Sequence, residues 1–90
     1  MRFDWDGSKN ETNIQRHGID FHDAHLIFKE PILIRVDTRK NYNEVRLIGL
    51  GKLFGVNVVI IFTKRVNTIR VISIRRANRN ERKIYQERFQ

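Results

Sequence analysis

The sequence predicts a small α+β domain, an antiparallel sheet with helices on one face, in the order β-α-α-β-β-β-β-α. Helical spacing of apolar residues is confined to the two ends of the chain, and four strand-like runs follow one another between Ile32 and Arg75. Helices followed by consecutive strands point to a meander rather than alternating βαβ units. With 90 residues, 40% of them apolar, residues 1–90 make one domain with a single modest core.

Each element has a local reason. Arg2-Phe3-Asp4-Trp5 alternates polar and apolar, which suits a short strand with Phe3 and Trp5 inward. Trp5 suits the core better than a base-stacking platform. Asp6 is an N-cap for a helix over Gly7–Arg16, which Gly18 ends in the left-handed conformation, with Ile14 as its main apolar contact. Asp20 caps a second, amphipathic helix, Phe21–Phe28, and Pro31 stops it. Ile32–Val36 is a strand, and the polar stretch Asp37–Asn43 a connection. Glu44–Leu50 is a strand with one packed face, and Gly51–Gly55 a glycine-flanked connection. Val56–Thr63, nearly all apolar, is a central strand covered on both faces. Thr68–Arg75 is the last strand. Asn78 and Glu81, three apart, form a capping box that opens the C-terminal helix.

Composition narrows the function. The chain has no cysteine, which excludes disulfides and thiolate metal sites. No apolar run is long enough to span a membrane, and the acidic start lacks a signal-peptide core, so a cytoplasmic protein is expected. His22 and His25 lie three apart but lack a third ligand at matching spacing, so surface roles suit them better than a metal. The net charge is +8, and residues 63–90 hold nine Lys/Arg against two Glu, whereas residues 1–62 hold nine against eight acids. Nearly all the excess therefore sits in the last third, a distribution that attracts polyanions.

That third contains the stretch around which the chain is organised, Thr68–Tyr85. A β-branched strand delivers Arg75 and Arg76 to the edge of the core, and a helix adds Arg79, Arg82, Lys83 and Arg88 beside them. Successive strand residues point to opposite faces, so both guanidiniums reach one phosphate only if the strand ends between them.

Taken together, Phe3-x-Trp5-Asp6-x-x-Lys9, Asn13-x-x-x-His17-Gly18-Ile19-x-Phe21-x-x-Ala24, Phe28-x-x-Pro31, Glu44-x-Arg46-x-x-x-Gly49, Thr63-x-Arg65, Ile69-Arg70-Val71-Ile72-Ser73-x-Arg75-Arg76-Ala77 and Glu81-Arg82-x-x-Tyr85 are a specific set. In that order over almost the whole chain, they resemble the BrnT-type toxins of type II toxin–antitoxin systems, related to RelE-like ribonucleases. Ile74 departs from the pattern, where a small residue is common, as does Lys29-Glu30, where acids are frequent. The resemblance implies a small basic protein with helices on an antiparallel sheet that cleaves RNA and arrests growth. It also implies a BrnA-type antitoxin with a ribbon-helix-helix region, and operator DNA bound only through that partner.

The sequence lacks a Ser/His/Asp order, a phosphate-cradling glycine loop and a two-metal carboxylate cluster. The chemistry left is cofactor-free and metal-free attack of the RNA 2′-OH on its own phosphorus, with guanidiniums stabilising the charge that gathers on the phosphoryl oxygens. The candidate donors are Arg75 and Arg76, with Arg46 and Arg65 from neighbouring strands. His17 and Glu44 are candidate bases, and Tyr85 and His17 candidate acids. Each has a plainer role open to it. His17 could compensate the helix dipole, Tyr85 could pack a helix, and Glu44 could pair with Arg46. Lys52, Lys64, Arg70, Arg79, Arg82 and Lys83 are the candidate RNA-binding cations. Two other readings use the same basic unit, a non-catalytic nucleic-acid-binding module and a pure interaction protein that docks an acidic partner.

Overall fold

The computed structural model describes residues 1–90. Its elements are β1 (Arg2–Trp5), α1 (Gly7–His17), a 3-10 turn (Phe21–Asp23), α2 (Ala24–Ile27), β2 (Leu33–Val36), β3 (Leu47–Leu53), β4 (Val56–Arg65), β5 (Thr68–Arg76) and α3 (Arg79–Phe89). No helix is long and apolar enough to cross a membrane.

The five strands form one sheet in the order β1-β5-β4-β3-β2. Strands β2 to β5 make the expected antiparallel meander. The sheet is mixed rather than antiparallel throughout, because β1 pairs with β5 in parallel, Arg2 opposite Thr68 and Trp5 opposite Val71. The helical segment after β1 carries the chain to the far edge, where β2 starts. The meander then returns to β1 on a strand running in the same direction.

Helices cover both faces, not one. On the first face α1, the 3-10 turn and α2 lie over a core of Phe21, Ile27, Val58, Ile60, Phe62, Ile69, Val71 and Ile74. On the second face α3 covers Ile48, Leu50, Val59 and Ile61 through Ala77, Tyr85 and the flanking Phe89. The continuous apolar run of β4 follows from this, since alternate residues feed opposite layers.

The caps fall where the sequence puts them. Asp6 accepts from the Ser8 and Lys9 amides, Gly18 has φ 67°, and the Asn78–Glu81 capping box is complete. The second helix is shorter than expected and begins as the 3-10 turn. β3 begins at Leu47, so Glu44 lies in the loop before it, and β3 runs on through Gly51 to a two-residue turn. In that turn Phe54 and Gly55 both have positive φ, 51° and 79°, as a tight twisted hairpin requires. A Cβ at Gly51 would stand 2.8 Å from the Ile27 side chain, so the bare backbone lets α2 seat against β3.

The contact surface of α1 also differs from expectation. Ile14 is 40% exposed, and the buried residues of the helix are Asn10 and Asn13. Asn10 Oδ1 accepts from the Phe21 amide at 2.8 Å, and its Nδ2 donates to Asp20 at 3.0 Å. Asn13 bonds the sheet itself. Beyond Val71, β5 has no strand on its β1 side, and the Asn13 amide occupies that edge at Ile74, accepting from its N–H at 3.1 Å and donating to its C=O at 2.9 Å.

Candidate functional site

The Asn13 clasp places the site. His17 lies one helical turn beyond Asn13, and Arg75 one residue beyond Ile74. Fixing Asn13 against Ile74 therefore brings the C-terminal turn of α1 alongside the end of β5. Gly18 ends the helix there, its N–H donating to the Ile14 carbonyl at 2.8 Å, so Arg16 and His17 stand in the last turn, where the dipole favours cations. The result is an open cleft of 460 Å³ lined by Arg16, His17, Arg75 and Arg76, with no carboxylate in its wall. Arg16 and His17 are shared with a 230 Å³ groove that continues between α1 and β5, past Ser73 to Thr12, Lys9 and Ser8.

A β-bulge re-aims the two strand arginines. Val71 pairs with Phe62 and Ser73 with Ile61, so Ile72 is the extra residue. Because of it, Val71 and Ile74 both face the first core although they are three apart. Arg75 then faces the α3 layer and Arg76 the α1 layer. They point to opposite faces, as expected, yet both border the cleft because the strand ends there.

The two guanidiniums are in different states. Arg75 donates to both carboxylate oxygens of Glu81 at 2.8 Å, a bidentate pair. Those hydrogen bonds raise the Arg75 pKa, against burial and the nearby charge of Arg39. In return they hold Glu81 below its usual range, against the cost of its burial. Arg16, His17 and Arg76 make no ion pair. Three solvated groups and one oriented by the fold thus surround one space.

The other candidates are dispersed. Arg46 does not join Arg75. It lies four residues before Leu50, which is in register through Val59 with Arg75, so about 13 Å separates them along the strand direction. Its guanidinium stacks on Tyr42, 3.8 Å from the ring centre. Arg65 ends β4 at the same far end, next to Arg70, and Glu44 is exposed in the loop. Tyr85 is 6% exposed and its hydroxyl donates to the Pro31 carbonyl at 2.7 Å. Burial raises its pKa. It is a packing residue, far from being a free acid. Lys52 lies 5.9 Å from the Tyr85 ring centre, beside Arg82 in a separate 320 Å³ hollow under α3. Arg82 donates to the Ala77 carbonyl at 3.0 Å. Lys64, Arg79 and Lys83 are exposed away from the cleft.

His22 and His25 have other partners. His22 Nδ1 lies 2.7 Å from Asp20 and its ring packs edge-on against Trp5, while His25 Nδ1 lies 3.0 Å from the His22 carbonyl. Arg16 is the cleft residue that sequence reasoning missed. Its signal was its place in the last turn before Gly18, beside His17.

A cleft of this make-up, at the edge of a small basic α+β domain, has the chemistry of a polyanion-binding protein. Over residues 5–81 the chain matches the family described as "Ribonuclease toxin, BrnT, of type II toxin-antitoxin system". It belongs to that family. No curated protein matches the chain.

Proposed function

We propose that this BrnT-family toxin cuts RNA in the cleft between α1 and β5, without a metal ion, by attack of a 2′-OH on the adjacent phosphorus. The bond from O2′ to phosphorus forms, the bond to O5′ breaks, and the products carry a 2′,3′-cyclic phosphate and a 5′-OH. His17 takes the 2′-OH proton, and the leaving 5′ oxygen takes one from water, which the open cleft admits. Arg16, Arg75 and Arg76 stabilise the charge on the phosphoryl oxygens, each worth about 3 kcal/mol by analogy with oxyanion-hole donors. The observation that carries this reading is the meeting of one imidazole with three guanidiniums around one open space.

The partner is a protein antitoxin of the ribbon-helix-helix class, with operator DNA bound through it. The family supports a protein antitoxin, and the sequence resemblance supports its class. Both toxin and RNA meet in the cytoplasm. A second reading, a nucleic-acid-binding module without catalysis, is favoured by the single imidazole, since most acid–base pairs need two proton carriers. RNA incubated with purified protein in chelator separates them. Fragments ending in a 2′,3′-cyclic phosphate support the nuclease, and intact but retarded RNA supports the binding module.

A further inference from the structure

The side of the sheet covered by α3 is covered at one end only. The helix lies over the rows that hold Val59, Leu50 and Leu33, next to Arg75. At the opposite end two rows of side chains cross the strands without a helix above them. In one, Asp4 of β1 is opposite Arg70, and Arg70 opposite Thr63; Arg46, just before the Leu47–Phe62 pair, continues the row. In the next, Arg2 is opposite Thr68 and Thr68 opposite Arg65. Phe3, Trp5, Leu47, Phe62, Ile69 and Val71 all face the first core, so the residues between them face this side. Four arginines share the patch with Asp4, and Asp37, whose N–H bonds the Arg46 carbonyl at 2.8 Å, closes the row with its carboxylate already held by Arg39. Arg70 Nη1 stands 3.4 Å from Asp4 Oδ1, which offsets the Asp4 charge.

The patch also holds unused hydrogen-bonding groups. Arg46 Nε, Thr63 Oγ1 and Asp4 Oδ1 are buried without a hydrogen-bond partner, Asp4 having only its ion pair with Arg70, and Thr63 is only 3% exposed. Buried polar groups are nearly always satisfied, so a donor and a hydroxyl left open side by side ask for an outside acceptor. The Tyr42 ring under Arg46 holds that guanidinium in place. The row spans about three strand spacings, or about 14 Å, which is a few nucleotides of RNA. It lies on the same face as Arg75, whose neighbour Arg39 is supplied by the loop leading to Arg46.

We infer that this uncovered strip, centred on Arg46, Thr63 and Arg70 with Arg2 and Arg65 at its rim, is a binding platform for the single-stranded RNA that flanks the cleavage cleft. The inference deepens the ribonuclease reading and rests on it. Guanidiniums and the Arg46 N–H take phosphate oxygens, and the Thr63 hydroxyl donates to a ribose 2′ oxygen, an acceptor that 2′-O-methylation leaves in place. Arg46 and Arg65 thereby hold the strand and do not touch the reacting phosphorus.

The test is fluorescence anisotropy with a labelled 2′-O-methyl RNA 12-mer, which binds but cannot be cut because its nucleophile is blocked. R46A/R70A is expected to bind at least tenfold more weakly and to lower the slope of log K against log salt by about 1.4, two phosphate contacts at about 0.7 each. Arg65→Glu is the companion variant, exposed at a strand end where charge reversal leaves the fold intact; a loss of threefold or more is expected. Unchanged affinity and slope in both would overturn the platform, as would loss of antitoxin binding with RNA binding intact. If wild-type protein fails to cut ordinary RNA while the variants still lose the 12-mer, the nuclease reading fails and the platform stands.

Discussion

Glu81 closes two structures with one carboxylate: it receives both terminal nitrogens of Arg75 at 2.8 Å and the backbone N–H of Asn78 at 2.8 Å. The helix start and the orientation of a cleft arginine are thus the same interaction. Glu81→Ala should cost about 1–2 kcal/mol, the usual range for a lost cap, with the half-exposed ion pair adding little. It should also lower cleavage, because Arg75 is freed to wander. Urea denaturation and an RNA cleavage assay check both. Full activity with the expected loss of stability would show that the orientation of Arg75 is irrelevant to the chemistry.

Asn13 should be among the costliest polar residues to replace. Its side chain bonds the Ile74 N–H, the Ile74 C=O and the Ile19 C=O, all buried. Asn13→Ala strands these groups inside the protein, each at about 1–3 kcal/mol, so a total loss of about 3 kcal/mol or more is expected. Hydrogen exchange adds a local readout, since the Ile74 amide should lose its protection. A loss below 1 kcal/mol would mean that water replaces the clasp.

Gly51→Ala should destabilise by about 1–3 kcal/mol, the range for overpacking, since the new Cβ would meet the Ile27 side chain at 2.8 Å. Gly7→Ala, with nothing within 4 Å, is the control and should be neutral or slightly stabilising. Thermal melts of the two variants decide it. Equal melting temperatures would show that α2 shifts freely over β3.

How much of this was legible depended on whether the cause was local. The caps at Asp6, Gly18 and Asn78 are set within a few residues, and the sequence carries them. The two-sided burial of β4 is written in its unbroken apolar run. The partner of β1 is not, because pairing Arg2 with Thr68 depends on where the rest of the chain goes. Nor is the face chosen by α3, since Tyr85 and Phe89 mark an apolar stripe that would fit either side of a sheet. The Ile72 bulge looks like any other β-branched residue. The burial of Asn10 and Asn13 is not written locally either, because it depends on Phe21 and Asp20 for one and on the Ile19 and Ile74 backbone for the other. For the cleft, His17, Arg75 and Arg76 were found from residue type and position at element ends. Arg46 was misplaced, since alternation reveals which face a side chain takes but not how far along the strand it sits.

Acid should unfold the protein through two aspartates. Asp20 is held down to about 2, first by the His22 amide and then by Asn10 and the His22 ring. Asp37 is held down to about 2 chiefly by the Arg39 side chain, which binds both its oxygens at 2.9 Å. Their folded pKa values lie below the unfolded value of about 3.9, so the stability they contribute is complete above pH 4 and is lost as pH falls toward 2. Asp37→Asn should be less stable than wild type at pH 6, with the gap narrowing to about a third by pH 2.5. Urea midpoints at both pH values test this, and a gap that stays constant would assign the effect to packing.

Cleavage itself should separate the cleft from the rest of the candidates. His17→Ala removes the one proton carrier of the cleft and should lower the rate by about 100-fold or more. Arg76→Ala removes an unpaired guanidinium and should cost about as much. Neither residue is buried, so circular dichroism and melting temperature should hardly move. Tyr85→Phe should behave the opposite way: it loses the hydrogen bond to the Pro31 carbonyl, about 1 kcal/mol of stability, and keeps its activity. Glu44→Ala, exposed in the loop before β3, should change neither. Because the wild type is expected to work in chelator, these rates are measured with EDTA present, which also removes contaminating metal-dependent nucleases. If His17→Ala and Arg76→Ala both cut RNA at the wild-type rate, the chemistry does not occur between α1 and β5.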